Sequence, residues 1–147
     1  MQTRLALGLL FALGLASTGC GKSTFEQNIA SVGNTMAYDV TGFSVKAGQK
    51  VKITLKNNAD QPAMTHNWVL VKPGTEQQVA TDGIAAGPTA NYVKAGDANV
   101  IAFTPISQPG GTVDVTFTAP SEPGNYPYIC TYPGHWTAMK GTMMVTK

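Results

Sequence analysis

The sequence predicts an all-β fold, a Greek-key β-sandwich of about eight strands with one short helical flap. Only 12% of the 147 residues are charged and 43% are apolar, so the chain is hydrophobic enough to form a packed core. The 16 glycines and nine prolines supply frequent turn signals. Short segments of strand-like composition lie between these turns, which is the pattern of a sandwich.

Residues 1–19 predict a signal peptide of the lipoprotein type. Arg4 precedes the apolar run Leu5–Ala16, which is too short to span a bilayer. The small residues that follow lead into Cys20 as in a bacterial lipobox, although Ser17 stands where such boxes usually carry Leu. We expect export and lipidation of Cys20, which would place the protein at the periplasmic or extracytoplasmic face of a bacterial membrane. Ordinary cleavage, giving a soluble secreted protein, is the alternative.

The following segments are assigned in chain order. Residues 20–33 are expected to form the lipidated N-terminus, a tether and a first strand, and 34–147 the main domain. The strand Lys50–Asn57 shows apolar residues at every second position, with its lysines on the outer face. The nearly continuous apolar run in Asn67–Lys72 predicts a more deeply buried strand. The other predicted strands are Met36–Val45, Val100–Thr104, Thr112–Thr118, Asn125–Cys130 and Lys140–Thr146.

One helix is predicted. Thr75 and Gln78 have the spacing of a capping box, in which each side chain bonds the backbone N–H of the other residue. The helix that they open is expected to end near Gly83 or Gly87.

Composition excludes some functions. The net charge is only +2, without a run of Lys or Arg, which argues against nucleic-acid binding. The eight acidic residues are scattered and indicate no catalytic carboxylate pair. If Cys20 belongs to the anchor, Cys130 is the single thiol of the exported domain, and its presence in an oxidising compartment calls for pairing, reactivity, burial or a metal.

The residues with metal-binding chemistry are two histidines, a cysteine and a methionine. Cys130, His135 and Met139 lie within ten residues, and His66 lies 64 residues before Cys130. Two histidines and a cysteine with a weak axial methionine are typical of blue copper sites. Each residue also has an ordinary structural explanation, as a hydrogen-bonded histidine, an inert buried cysteine or a core methionine. The spacing alone leaves both interpretations open.

From about Asn34 to Lys147 the sequence resembles the azurins and auracyanins, blue copper proteins of the cupredoxin family. The resemblance lies in Met64–Leu70 (MTHNWVL), in Cys130–His135 (CTYPGH) with Met139 four residues further on, and in Lys140–Thr142 (KGT). The shorter segments Thr81–Gly83 and Val100–Ala102 also match. The resemblance implies that 34–147 is a copper-binding domain holding one ion that cycles between Cu(I) and Cu(II).

The resemblance also assigns roles to individual residues. It implies that His66, Cys130 and His135 are the equatorial copper ligands and Met139 the axial one. Two departures stand out. Thr65 replaces a glycine whose carbonyl approaches copper in azurins, so its backbone carbonyl is a candidate weak axial contact with a β-branched side chain restricting the geometry. Both cysteines of the N-terminal azurin disulfide are missing. The residues expected around the ligands are Asn67, Thr131 and Tyr132, and those expected in an apolar docking patch around His135 are Met64, Pro133, Trp136 and Ala138.

The expected function is electron transfer by a small, monomeric, membrane-tethered protein. Its partners would be redox proteins, of the cytochrome or copper/haem oxidoreductase type, that dock weakly and transiently. An enzyme is not expected, because a copper oxidase needs further histidine ligands and a Cys–His nucleophile would leave His66 and Met139 unexplained. Structural zinc sites favour at least two cysteines. A copper carrier without a dedicated electron-transfer partner is the alternative, and reversible one-electron cycling would distinguish the two.

Overall fold

The computed structural model describes residues 23–147, which form two β-sheets around a shared core. The predicted signal peptide and Cys20 lie outside the described residues. One sheet has the strand order β1-β3-β6 and the other β2-β8-β7-β4-β5. The predicted all-β sandwich with one short helix is confirmed. The strands are β1 (Phe25–Ala30), β2 (Gly42–Lys46), β3 (Lys50–Lys56), β4 (Val69–Val71), β5 (Val100–Phe103), β6 (Thr112–Thr118), β7 (Gly124–Ile129) and β8 (Lys140–Thr146).

Strand β3 shows how the sequence pattern forms the sandwich. Val51, Ile53 and Leu55 are completely buried, while the lysines between and beside them face outward, as the alternation predicts. β3 pairs in parallel with β1 and antiparallel with β6. The inner face of this sheet meets Tyr128 of β7 and Trp68, which directly precedes β4, and these are the largest fully buried side chains among the described residues.

Two strand predictions were too long. β2 begins at Gly42 rather than at Met36, because the preceding segment passes from one sheet to the other and buries Tyr38 between them. Tyr38 forms only an isolated bridge with Ser31. In Asn67–Lys72 only Val69–Val71 is a strand.

The helix α1 spans Glu76–Ala86, followed by a 3₁₀ turn at Pro88–Ala90. The predicted helix is confirmed, but its capping box is wrong. The Thr75 hydroxyl donates to the Lys72 carbonyl at 2.7 Å, and the Gln78 amide donates forward to Asp82 at 2.9 Å. Neither side chain therefore reaches the backbone N–H that a capping box requires. Within residues 23–147, no helix is long and apolar enough to cross a membrane.

Candidate metal centre

Three buried side chains converge at one end of the sandwich. The Cys130 Sγ lies 3.9 Å from the His66 Nδ1 and 3.7 Å from the His135 Nδ1. All three candidate ligand atoms lie within 4.8 Å of one another. The fold therefore brings together the cysteine and both histidines that the sequence singles out.

The loop 130–139, which carries three of the candidate ligands, is closed by hydrogen bonds of its own backbone. It follows β7, and the Cys130 N–H donates to the Met139 carbonyl at 3.0 Å. The Met139 N–H donates to the His135 carbonyl at 2.8 Å, and Gly134 turns the chain with a φ of +84° that favours glycine. Met139 is fully buried directly before β8 begins. The loop thus presents Cys130, His135 and Met139 from a single compact turn.

His66 is held from the other side. Its backbone forms a two-bond bridge with Ser107, with N···O distances of 3.1 Å and 2.7 Å. The His66 Nδ1 faces Cys130, while its Nε2 is buried without a hydrogen-bond partner among the described residues. The bridge fixes the position of the backbone from which the imidazole projects.

Burial controls the protonation of these groups. Burial, reinforced by the charge of His135, lowers the pKa of His66 to about 4, and burial also lowers the pKa of His135. Burial raises the pKa of the Cys130 thiol to about 12, although hydrogen bonds from the Asn67 and Tyr132 backbones oppose the rise. Near neutral pH the imidazoles are thus uncharged and free to bind a metal. A soft cation that displaces the thiol proton fits this donor set.

Asn67 and Thr131 join the two ligand-bearing segments. The Thr131 N–H donates to the Asn67 Oδ1 at 2.8 Å, and the Asn67 amide donates to the Thr131 hydroxyl at 2.8 Å. Both residues lie next to candidate ligands, so the paired bonds fix His66 relative to Cys130. The ring of Tyr132 lies 4.8 Å from that of His135, centroid to centroid.

Sequence reasoning missed the turn at Asn91 and Tyr92. Both have positive φ values, 57° and 54°, which are uncommon for residues other than glycine. The Asn91 carbonyl accepts from the Asn67 amide, and the Tyr92 carbonyl accepts from the Thr131 hydroxyl. A Cβ at Gly83 of α1 would overlap the Tyr92 carbonyl, so this glycine allows the helix to approach the turn. No local signal marks these residues, because their contacts join segments that are distant in sequence.

The residues of the predicted docking patch are only partly covered. Pro133 and Ala138 are exposed, and Met64 is half-buried. Trp136 is also half-buried, because it packs against a buried cluster that includes Val69 and Ile129.

The chain belongs to a family of copper-binding proteins. Residues 25–146 match the family described as copper binding proteins, plastocyanin/azurin family. Within this family, the chain is 45% identical over 130 residues to auracyanin-A of Chloroflexus aurantiacus, covering 87% of this chain and 77% of that protein. It is 50% identical over 130 residues to an azurin of Achromobacter denitrificans, covering 85% and 84% respectively.

Solved structures agree with this assignment. The auracyanin A structure from Chloroflexus aurantiacus superposes with a TM-score of 0.78 at 44% identity, covering 84% of this chain and all of that one. Dithionite-reduced auracyanin from Roseiflexus castenholzii gives 0.77 at 42% identity, covering 86% of this chain. The resemblance seen in the motifs is therefore confirmed: the protein is a blue copper electron carrier with one copper ion and is not an enzyme. Azurins and auracyanins are extracytoplasmic proteins that exchange electrons with redox partners.

Proposed function

We propose that His66, Cys130 and His135 are the equatorial ligands of the copper ion and that Met139 is its axial ligand. The observation that carries this proposal is the convergence of three buried ligand atoms within 4.8 Å of one another. When bound, copper supplies one-electron chemistry between Cu(I) and Cu(II). The ligand set is assembled from two segments that the sandwich holds in place.

The protein holds these ligands in fixed positions and excludes water from them. The two hydrogen bonds between Asn67 and Thr131 couple the segments that carry His66 and Cys130. Burial excludes water from the thiolate and from the imidazoles. A site held in this way rearranges little when it gains or loses an electron, which favours rapid exchange.

Two weaker contacts complete the proposed site. Met139 is fully buried, and its backbone is hydrogen-bonded to both Cys130 and His135, which favours a fixed axial position. The Thr65 hydroxyl lies 3.3 Å from the Gln108 side chain, and the Thr65 carbonyl accepts no hydrogen bond from the described residues. That carbonyl is available for a weak axial contact on the His66 side.

Electrons are proposed to leave through His135. The surface patch of Met64, Pro133, Trp136 and Ala138 carries no charged side chain, and transient redox contacts are small, with less than about 1,200 Å² buried. We propose that a cytochrome or a copper/haem oxidoreductase docks on this patch and releases quickly. The partial burial of Trp136 is compatible with a structural role alongside docking.

The protein is proposed to be exported and anchored by lipid at Cys20. Phe25 pairs with Val51 at the beginning of β3, so β1 starts at the end of the sandwich opposite the metal centre. Two residues, Gly21 and Lys22, separate Cys20 from Ser23, and each residue of the chain reaches at most about 3.5 Å. The anchor would therefore hold the far end of the sandwich near the bilayer and leave the docking patch facing away from it.

The test of the ligand assignment is the absorption of the copper-loaded, oxidised protein. We expect an intense blue colour from charge transfer between the Cys130 thiolate and Cu(II), and we expect Cys130→Ser to lose it because a hydroxyl is a poor soft ligand. Thr137→Ser, an exposed change in the same loop, should stay blue. A colourless parent complex or a blue Cys130→Ser variant contradicts the proposal. Reversible one-electron cycling with a redox protein separates an electron carrier from a copper carrier.

A further inference from the structure

We infer that Asn57 is a positioning residue for the metal centre, acting through the backbone on His66. Asn57 follows β3 directly, and it is completely buried. Its side chain does not reach the candidate ligand atoms. It joins three loops that meet beneath His66, and this inference rests on the proposed role of His66 as a ligand.

The donor side of the amide fixes the two backbone segments around His66. The Asn57 Nδ2 donates to the Met64 carbonyl at 2.8 Å and to the Ser107 carbonyl at 2.9 Å. Met64 lies two residues before His66, and Ser107 forms the two-bond bridge with it. Both amide hydrogens are thus used to hold the backbone that carries the imidazole.

The acceptor side ties the same amide to the loop that follows β1. The Asn57 Oδ1 accepts from the Ser31 hydroxyl at 3.1 Å and from the Ala59 N–H at 3.0 Å. The Ser31 oxygen in turn accepts from the Asn58 N–H at 2.8 Å. Ser31 is itself 2% exposed, so these bonds lie in the interior.

The backbone of Asn57 closes the network. Its N–H donates to the Gly111 carbonyl at 2.9 Å, and its carbonyl accepts from Gly110 at 3.0 Å. Every polar group of Asn57 is therefore hydrogen-bonded in a buried setting. Truncating the side chain would leave the Met64 and Ser107 carbonyls without this donor and free both loops to shift.

This network matters because His66 comes from a different part of the chain than the other candidate ligands. His66 and Cys130 are 64 residues apart, so their separation depends on how the loops are held. A looser His66 backbone raises the free-energy cost of holding the imidazole in place for metal binding. Hydrogen-bonded residues outside the ligand set commonly change metal affinity 10–100-fold when they are mutated.

The experiment compares Asn57→Ala with Asn58→Ala. Asn58 is the matched control, because its exposed side chain makes no hydrogen bond to the described residues and its N–H bond to Ser31 survives the change. We expect Asn57→Ala to release copper to a chelator about tenfold faster and to alter the copper hyperfine splitting. In the metal-free protein, hydrogen exchange of the His66 and Ser107 amides should be about tenfold faster relative to the β3 amides. Asn58→Ala should match the parent in all three measurements.

A stability loss in Asn57→Ala with unchanged copper release, hyperfine splitting and bridge exchange would overturn the inference, since a merely structural residue would behave so. If Asn57→Ala does not fold, Ser31→Ala decides, because it removes one bond to the same amide and should accelerate copper release about threefold. A parent-like Ser31→Ala then overturns it. His66→Gly is measured in parallel: a blue His66→Gly refutes the ligand assignment, whereas a colourless one with a parent-like Asn57→Ala refutes only the positioning role.

Discussion

Cys130 illustrates how a residue acquires its properties from its surroundings. An exposed thiol is partly ionised near pH 8.5, but burial raises the pKa of Cys130 to about 12. The thiolate is therefore stable in this interior only with a cation beside it. Two uncharged imidazoles within 4 Å of the sulfur make the same position a favourable metal site. A residue that would be inert alone is thereby suited to its proposed role as a copper ligand.

At the same scale, Met139 is expected to tune the copper site rather than to build it. A thioether donates weakly to Cu(II), so it favours the reduced state, whereas the amide oxygen of Met139→Gln is a harder donor. We expect copper to stay bound and the reduction potential to fall by roughly 59 mV or more, which is a tenfold change for a one-electron couple. Cyclic voltammetry measures the shift. The exposed Met144→Gln serves as the control, and an unchanged or raised potential in Met139→Gln would count against the axial assignment.

The elements contribute through their junctions. The helix α1 touches the metal centre only indirectly, by packing Gly83 against the Tyr92 carbonyl. That carbonyl accepts from Thr131, the residue after Cys130. The buried contact between α1 and the turn at Tyr92 is thereby connected to the loop that carries Cys130.

Gly83→Ala tests this connection. Alanine favours a helix over glycine by about 1 kcal/mol, but the new methyl group would overlap a backbone oxygen that cannot move without shifting the turn. Overpacking commonly costs about 1–3 kcal/mol, and an overlap with backbone belongs at the upper end of that range. After the gain in helix propensity we therefore expect a net loss of about 1–2 kcal/mol in unfolding free energy and a shifted blue absorption band. Urea unfolding and absorption spectra measure the two effects.

Ala85→Gly in the exposed part of α1 is the control for Gly83→Ala. It should cost about 1 kcal/mol by helix propensity alone and leave the spectrum unchanged. A Gly83→Ala protein as stable as the parent and with the parent spectrum would show that the close approach has no consequence for the site.

For the whole molecule, the distribution of charge separates two possible docking faces. The patch around His135 is apolar, whereas the outer face of β3 carries Lys50, Lys52 and Lys56. Apolar docking responds little to salt, and docking through lysines weakens as ionic strength rises. The two faces can therefore be distinguished by charge substitutions.

Met64→Lys is expected to slow electron self-exchange about tenfold at low salt, because two copies would meet with like charges across the contact. The blue spectrum should not change, since the Met64 side chain is not a proposed ligand. NMR line broadening in mixtures of reduced and oxidised protein measures the rate. Lys52→Glu, which reverses the sign of one charge, is the comparison on the other face. Exchange at the parent rate in Met64→Lys, with a strong effect of Lys52→Glu, would place docking on the β3 face.

Cys20→Ala tests the anchor. Lipidated protein should partition into the detergent phase, because two or three acyl chains give lasting membrane attachment, and the variant should stay in the aqueous phase. Cys130→Ser controls for the loss of a thiol and should partition as the parent does. An aqueous-phase parent, or a Cys20→Ala protein that still enters detergent, would refute lipidation.

The sequence by itself determined the class of fold and the chemistry of the site. Alternation in β3 and the turn residues between strands predict a sandwich. Apolar residues at every second position let a strand bury one face against another sheet and expose the other face to water. The donor types of His66, Cys130 and His135 suit copper, because softness is a property of each side chain, and the resemblance of their motifs to azurins and auracyanins favours copper over a purely structural role. The fold inference needs only local composition and spacing, and the copper inference adds the motif resemblance.

Only the tertiary structure decided where segments end and what supports the ligands. β2 starts late because Tyr38 crosses between the sheets, and Thr75 bonds Lys72 rather than capping α1. Asn57 and Gly83 look like ordinary loop and helix residues in the sequence. In the structure, however, Asn57 joins three loops by hydrogen bonds, and Gly83 packs against the backbone carbonyl of Tyr92. Their importance arises from contacts between residues far apart in the chain, and such contacts exist only once the two sheets have packed.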